Sequence, residues 1–123
     1  MHSNGVLHRD IKPENLLIDE NGYLRITDMG ISRMWNPENY QDTSGTPEYM
    51  APEVMSKNNH GYTVDYYALG VILYEIMLQR RPYSGKTKKE LRDNIYEKQV
   101  FITRSQIPEG WSIEAADFIN KLI

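Results

Sequence analysis

His8-Arg9-Asp10-Ile11-Lys12-Pro13-Glu14-Asn15 is the stretch on which the reading of this chain turns. It sets an acid (Asp10), a cation (Lys12) and a carboxamide (Asn15) within a few residues, directly ahead of a hairpin pattern. Leu16-Leu17-Ile18 and Tyr23-Leu24-Arg25-Ile26 flank Asp19-Glu20-Asn21-Gly22, and Asn-Gly is the strongest two-residue hairpin signal. Taken by itself, the opening run would be a polar turn leading into that hairpin.

Beyond the hairpin, Asp28 to Pro52 shows little apolar periodicity and is punctuated by Gly30, Pro37, Gly45, Pro47 and Pro52. A loop of that length in a compact domain is usually functional or disordered. Thr63 to Leu78 is apolar nearly all round the helical wheel, the mark of a helix buried inside a protein. Thr87-Lys88-Lys89-Glu90 reads as a capping box opening a second helix, with a narrow stripe of Leu91, Ile95 and Tyr96. Ser112 caps a third, with Ala115, Phe118, Ile119 and Leu122 at core spacing. Arg80, Arg81, Lys86, Lys88, Lys89 and Arg92 make a basic cluster around the second helix. It reads as a solvated face, with a docking surface as the alternative.

The chain has 123 residues, enough for one small domain with a core. A formal charge of −3 implies neither nucleic acid nor an acidic membrane as partner. There are no cysteines, which excludes disulfide staples and thiolate metal sites and fits a reducing compartment. Met1 to Asp10 lacks the apolar core of a signal peptide. The longest apolar run, Ala68 to Leu78, is too short to span a bilayer and contains Glu75. An intracellular protein, cytoplasmic or nuclear, is the expectation. The ending on Leu122-Ile123, in mid-helix and without a polar tail, reads as a truncation.

The opening run resembles the catalytic loop of eukaryotic-type serine/threonine protein kinases. Asp28-Met29-Gly30 resembles the family's Asp-Phe-Gly metal loop, with methionine for phenylalanine. Ser44-Gly45-Thr46-Pro47-Glu48-Tyr49-Met50-Ala51-Pro52-Glu53 resembles the end of its activation segment. Asp65-Tyr66-Tyr67-Ala68-Leu69-Gly70-Val71 matches its helix F. The similarity runs the length of the chain and is greatest to the group containing the cyclic-nucleotide-dependent kinases. It implies a fold that is mainly α with a small β-hairpin: residues 1–123 of the large lobe, from catalytic loop through helices F, G and H, without the small lobe or the end of the large one.

The resemblance also implies roles. Asp10 would orient the attacking hydroxyl and receive its proton, Lys12 would neutralise the transferred phosphoryl group, and Thr46 would bond both. Asn15 and Asp28 would hold Mg²⁺ against the phosphates of ATP, and Leu17 would floor the adenine site, backed by Ile72 and Ile76. Glu14 and Glu75 would face a basic residue upstream of the phosphoacceptor, solvated acids being the alternative, and Pro47 and Met50 would shape a pocket for the residue after it. His8 is expected as a packed core residue, and Asp65 as a clamp on the catalytic-loop backbone. Glu53 belongs to an ion pair whose arginine is not in this chain. Arg9 would bind a phosphothreonine at the position that Asp42 holds here. Either Asp42 is a built-in partial substitute for that phosphate, or Thr43 or Ser44 is the modified residue.

The Gly-rich loop, the strand lysine and the helix-C glutamate of the family are not found in these residues. The isolated chain is therefore expected to be inactive, with activity belonging to the intact kinase. The rival readings are a non-catalytic kinase-like interaction domain and an incomplete fragment without a role of its own. Asp10, Asn15 and Asp28, the residues such an interaction domain tends to lose, are all present.

Overall fold

A computed structural model describes all residues from Met1 to Ile123. In chain order it contains β1 (Val6–Leu7), β2 (Leu16–Ile18), β3 (Leu24–Ile26), β4 (Arg33–Met34), α1 (Pro52–Met55), α2 (Thr63–Leu78), α3 (Lys88–Glu97) and α4 (Ile113–Leu122), with short 3-10 turns between them. The expected mainly helical fold with a hairpin is what forms.

The hairpin pairs Leu16 with Ile26, Leu17 with Arg25 and Ile18 with Leu24. Its turn is pinned by Asp19, whose Oδ1 accepts from Asn21 N (3.0 Å) and Tyr23 N (2.9 Å) and whose Oδ2 accepts from Arg25 Nε (2.8 Å). Gly22 supplies the positive φ of 83° that closes the turn. A second antiparallel pair, absent from the sequence reading, joins Val6 to Met34 and Leu7 to Arg33. It brings together the two ends of the stretch that holds the catalytic-type loop, the hairpin and the Asp28 loop. Those three loops thus spring from one neck.

The buried helix occupies the residues expected of it. Val64, Tyr67, Ala68, Val71 and Ile72 of α2 pack with Leu7, Tyr49, Met50, Ala51, Val54, Met55 and Leu91 in the main core. Farther along, Tyr74 and Met77 meet Ile102, Ala116 and Ile119 in a second cluster. Burial is not complete, since Tyr66 and Ile76 are about half exposed. A concavity of about 480 Å³ lies beside Tyr66, lined mainly by Ile11, Leu16, Leu24, Ile26 and Leu69.

At α3, Thr87 Oγ1 accepts from Glu90 N (3.1 Å), as the capping box requires. The Glu90 carboxylate takes Lys86 N (2.9 Å) instead of the N-cap amide, so only half of the reciprocal box forms. Leu91 is buried, while Tyr96 is exposed and ties back to Pro52 O at 2.9 Å. Ser112 caps α4 through Ala115 N (3.1 Å). One core assignment is corrected here. Phe118 is 52 % exposed, and Ala116 and Ile119 form the buried face of α4. Turning the stripe toward Ala116 lets α4 approach α2 closely enough that only glycine fits at position 70.

A Cβ built on Gly70 would stand 2.7 Å from both Leu122 Cβ and Ile123 Cγ2. Gly70→Ala is expected to lower stability by about 1–3 kcal/mol through overpacking, despite alanine's better helix propensity. Urea denaturation of the intact protein measures this. A stability gain would mean that α4 moves aside freely.

Candidate active site

The site is assembled on α2. Asp65, in its first turn and 2 % exposed, accepts from the backbone amides of His8 (2.9 Å, Oδ2) and Arg9 (2.7 Å, Oδ1). His2 Nε2 lies 2.7 Å from Oδ2 as a third partner. Arg9 adopts a φ of 71°, a conformation that non-glycine residues take only when surroundings impose it. The amides on both sides of the His8–Arg9 peptide junction are thereby fixed, and Asp10 is aimed. His8 is fully buried, with Nε2 3.1 Å from Thr27 O.

Asp10 stands at the centre. Its Oδ1 accepts from Thr46 Oγ1 (2.7 Å) and Thr46 N (3.1 Å). Its Oδ2 lies 2.8 Å from Lys12 Nζ and accepts from Asn15 Nδ2 at 3.2 Å. Lys12 Nζ also donates to Thr46 Oγ1 at 2.9 Å. Partial burial pushes the Asp10 carboxyl up, but its bonds to Lys12, Thr46 and Asn15 outweigh that and hold it below its ordinary 3.8. The Asp10 hydrogen bond, opposed by some desolvation and assisted by the charges of Asp10, Glu14 and Asp28, raises Lys12. Asp10 is therefore an anion and Lys12 a cation at neutral pH.

Asn15 is buried, and its amide nitrogen is committed to Asp10, with Asp10 O at 2.8 Å as well. Its side-chain oxygen accepts no hydrogen bond and is free as a neutral ligand. The backbone oxygen of Asn15 takes Thr27 N (2.9 Å) and Thr27 Oγ1 (3.2 Å), which ties it to the residue before Asp28. Asp28 has a φ of 60°, and its Oδ1 accepts from Gly30 N (3.0 Å), leaving Oδ2 unengaged. No three His, Asp or Glu side chains converge anywhere in the chain. Two hard oxygens that need further ligands from phosphate and water suit Mg²⁺, which keeps several such ligands. The residues present therefore fit the metal.

Residues 1–123, the whole chain, match the family model described as the protein kinase domain. The chain belongs to the protein kinase domain family. Over its full length it is 35% identical to a "cAMP-dependent protein kinase, catalytic subunit-like" protein of Caenorhabditis briggsae. Over 117 residues, 94% of the chain, it is 38% identical to the "RAC-beta serine/threonine-protein kinase" of Rattus norvegicus. It spans only 30% and 24% of the length of those two relatives.

Around Asp10 the other expected residues are placed unevenly. Arg9 Nε donates to Ile31 O at 2.8 Å, and its Nη1 abuts the Asp42 carboxylate as an ion pair, though not aligned as a hydrogen bond. Thr43 is half-buried beside that pair. Glu53 accepts from Thr63 Oγ1 at 3.4 Å and has no arginine partner. Leu17 is 55 % exposed on β2. Of its expected supports, Ile72 is buried in the main core and Ile76 faces outward. Met50 is turned into the core, and Pro47 stays nearer the surface. Glu14 is exposed and unpaired, whereas Glu75 is engaged by Tyr49 and Arg81.

Two residues were missed by sequence reasoning. His2 gave no signal, being a lone polar residue in an aperiodic terminus. Arg81 was folded into the basic cluster, although its place just past the helix that carries Glu75 was a clue.

Proposed function

We propose that this chain is the catalytic half of a serine/threonine protein kinase, which transfers the γ-phosphate of ATP to Ser or Thr hydroxyls of protein substrates. The observation that carries the reading is the Asp10 carboxylate, ionised and held jointly by Thr46, Lys12 and Asn15. Its two oxygens already receive four donors, about the full capacity of a carboxylate. An incoming hydroxyl therefore takes the place of one of them, is turned toward the phosphorus, and hands its proton to Asp10. Lys12, once displaced, is the nearest ammonium for the charge on the transferred group. Mg²⁺ bound through Asn15 and Asp28 would supply further charge neutralisation at the phosphates. Leu17 offers an exposed apolar face to a flat base, and Pro47 borders the substrate side, whereas Met50, buried in the core, does not line it.

No helix of the chain is long and apolar enough to cross a membrane, and a cytoplasmic or nuclear site of action is part of the proposal. Glu14 supports a preference for a basic residue upstream of the acceptor. The test is Mg²⁺-dependent transfer of labelled phosphate from ATP to serine- and threonine-bearing proteins. The intact kinase is expected to catalyse it and the isolated 123-residue chain to be silent. A silent intact protein that still binds partners through this region would favour the interaction-domain reading.

The Arg9–Asp42 pair further suggests that the activation segment is held without phosphorylation. A carboxylate carries one negative charge against roughly −1.5 to −2 for a phosphate, so it is a partial substitute. Phosphatase-treated intact kinase is expected to keep part of its activity, and Asp42→Ala to lose several-fold. Should Thr43→Ala or dephosphorylation silence the enzyme while Asp42→Ala changes nothing, Thr43 is the control point instead.

A further inference from the structure

Arg81 follows α2 by three residues. The turn that brings it back runs through Gln79, which has a left-handed φ of 54° and an amide bonded to Glu75 O at 2.9 Å. Arg81 Nε then donates to Glu75 Oε1 at 2.9 Å, and Nη1 lies 3.4 Å from Glu48 Oε1. The guanidinium carbon sits 5.9 Å from the centre of the Tyr49 ring. The second Glu75 oxygen accepts from Tyr49 Oη at 2.9 Å. Both Glu75 oxygens are thus occupied from within the chain, and one arginine bridges two carboxylates across an aromatic face. That is how a protein binds an arginine from a partner.

The cluster is joined to the reacting centre by a single short turn. Thr46, on Asp10, opens the 3-10 turn Pro47–Tyr49 that carries both Glu48 and Tyr49. A substrate held with its hydroxyl at Asp10 extends by about 3.3 Å per residue, so side chains a few residues away come within reach of these acids.

We propose that Arg81 is a specificity-determining residue: a built-in cation seated where Glu75 and Glu48 would otherwise receive a basic side chain of the protein substrate. The proposal rests on the kinase reading above and narrows its substrate class. Of the three acids near this edge, Glu14 alone forms no ion pair, so a basic residue of the substrate is read there and not at Glu75. A purely structural staple would predict no effect of Arg81 on substrate choice.

The experiment uses the intact kinase and pairs of fluorescein-labelled serine peptides that differ only in arginine or glutamine, scanned over the positions upstream of the serine. Binding is read by anisotropy and phosphorylation by kcat/KM. At one position, Arg81→Gln is expected to raise the arginine-to-glutamine ratio in both readouts by about tenfold, the size of one charge-assisted pair at a half-exposed site. Adding Glu75→Gln should cancel that gain, and Arg81→Lys should leave the ratio near that of the unaltered protein. An equal ratio with and without Arg81, or a gain that survives Glu75→Gln, overturns the proposal. If no peptide is phosphorylated, the kinase reading fails, while the anisotropy ratio still decides whether Arg81 fills the basic seat.

Discussion

Replacing Asp10 with alanine is expected to cut phosphoryl transfer by the intact kinase by about 10²–10⁴-fold, the range for a positioned acid–base group. The depressed carboxyl pKa makes Asp10 a weak proton acceptor, so most of this loss is orientation of the hydroxyl rather than basicity. The pH dependence follows with a definite sign. A carboxyl held below its ordinary 3.8 keeps its bonds to Lys12 and Thr46 above that value and loses them only as the pH falls through the depressed one. No acid limb due to Asp10 is therefore expected between about pH 5 and 8. Steady-state rates of the Ala variant, with circular dichroism to confirm folding, measure the effect. A rate within threefold of the unaltered enzyme would remove Asp10 from the mechanism.

Asp65→Ala should be the most damaging change outside the reacting residues. It strands the amides of His8 and Arg9 and leaves His2 without its carboxylate, all around an atom group 2 % exposed. Breaking one side of a buried charged network costs about 3–5 kcal/mol, against total stabilities of about 5–15 kcal/mol for ordinary domains. With the clamp gone, Arg9 has no reason to keep its positive φ, and Asp10 loses its aim. Both the urea midpoint and the transfer rate should fall. Asp65→Asn keeps one acceptor oxygen and should lose less of each. A loss below about 1 kcal/mol would mean that the loop holds itself.

What could be read in advance has a physical pattern. The hairpin and α2 were legible because one Asn-Gly turn and one all-round apolar helix are local statements. The Asp10–Lys12–Asn15 constellation was legible because its residues are neighbours in sequence, and Thr46 was named through the family pattern. The β1–β4 pair escaped because each strand has only two residues, too few for any alternation to show. Phe118 was misplaced because a helical stripe fixes which residues share a face but not which edge of that face meets the neighbour. Arg81 was missed for a related reason. Its place just past α2 was a clue, but a run of basic residues does not tell which member the turn at Gln79 returns to an acid six positions back.

The contacts that build the centre also fix when it can form. Asp10 meets Thr46 across 36 residues, Arg9 meets Asp65 across 56, and His2 meets Asp65 across 63. Contacts so distant along the chain close late in folding, after the entropy of the intervening loop has been lost. The hairpin can zip on its own, but the reacting constellation exists only once α2 has docked. Local opening of α2 and loss of the centre should then be one event, so amide exchange at His8 and Arg9 tracks the unfolding of the helix. Formation of the centre is in this sense a late product of folding, and a chain that has collapsed without seating α2 carries Asp10, Lys12, Asn15 and Thr46 without the constellation they build.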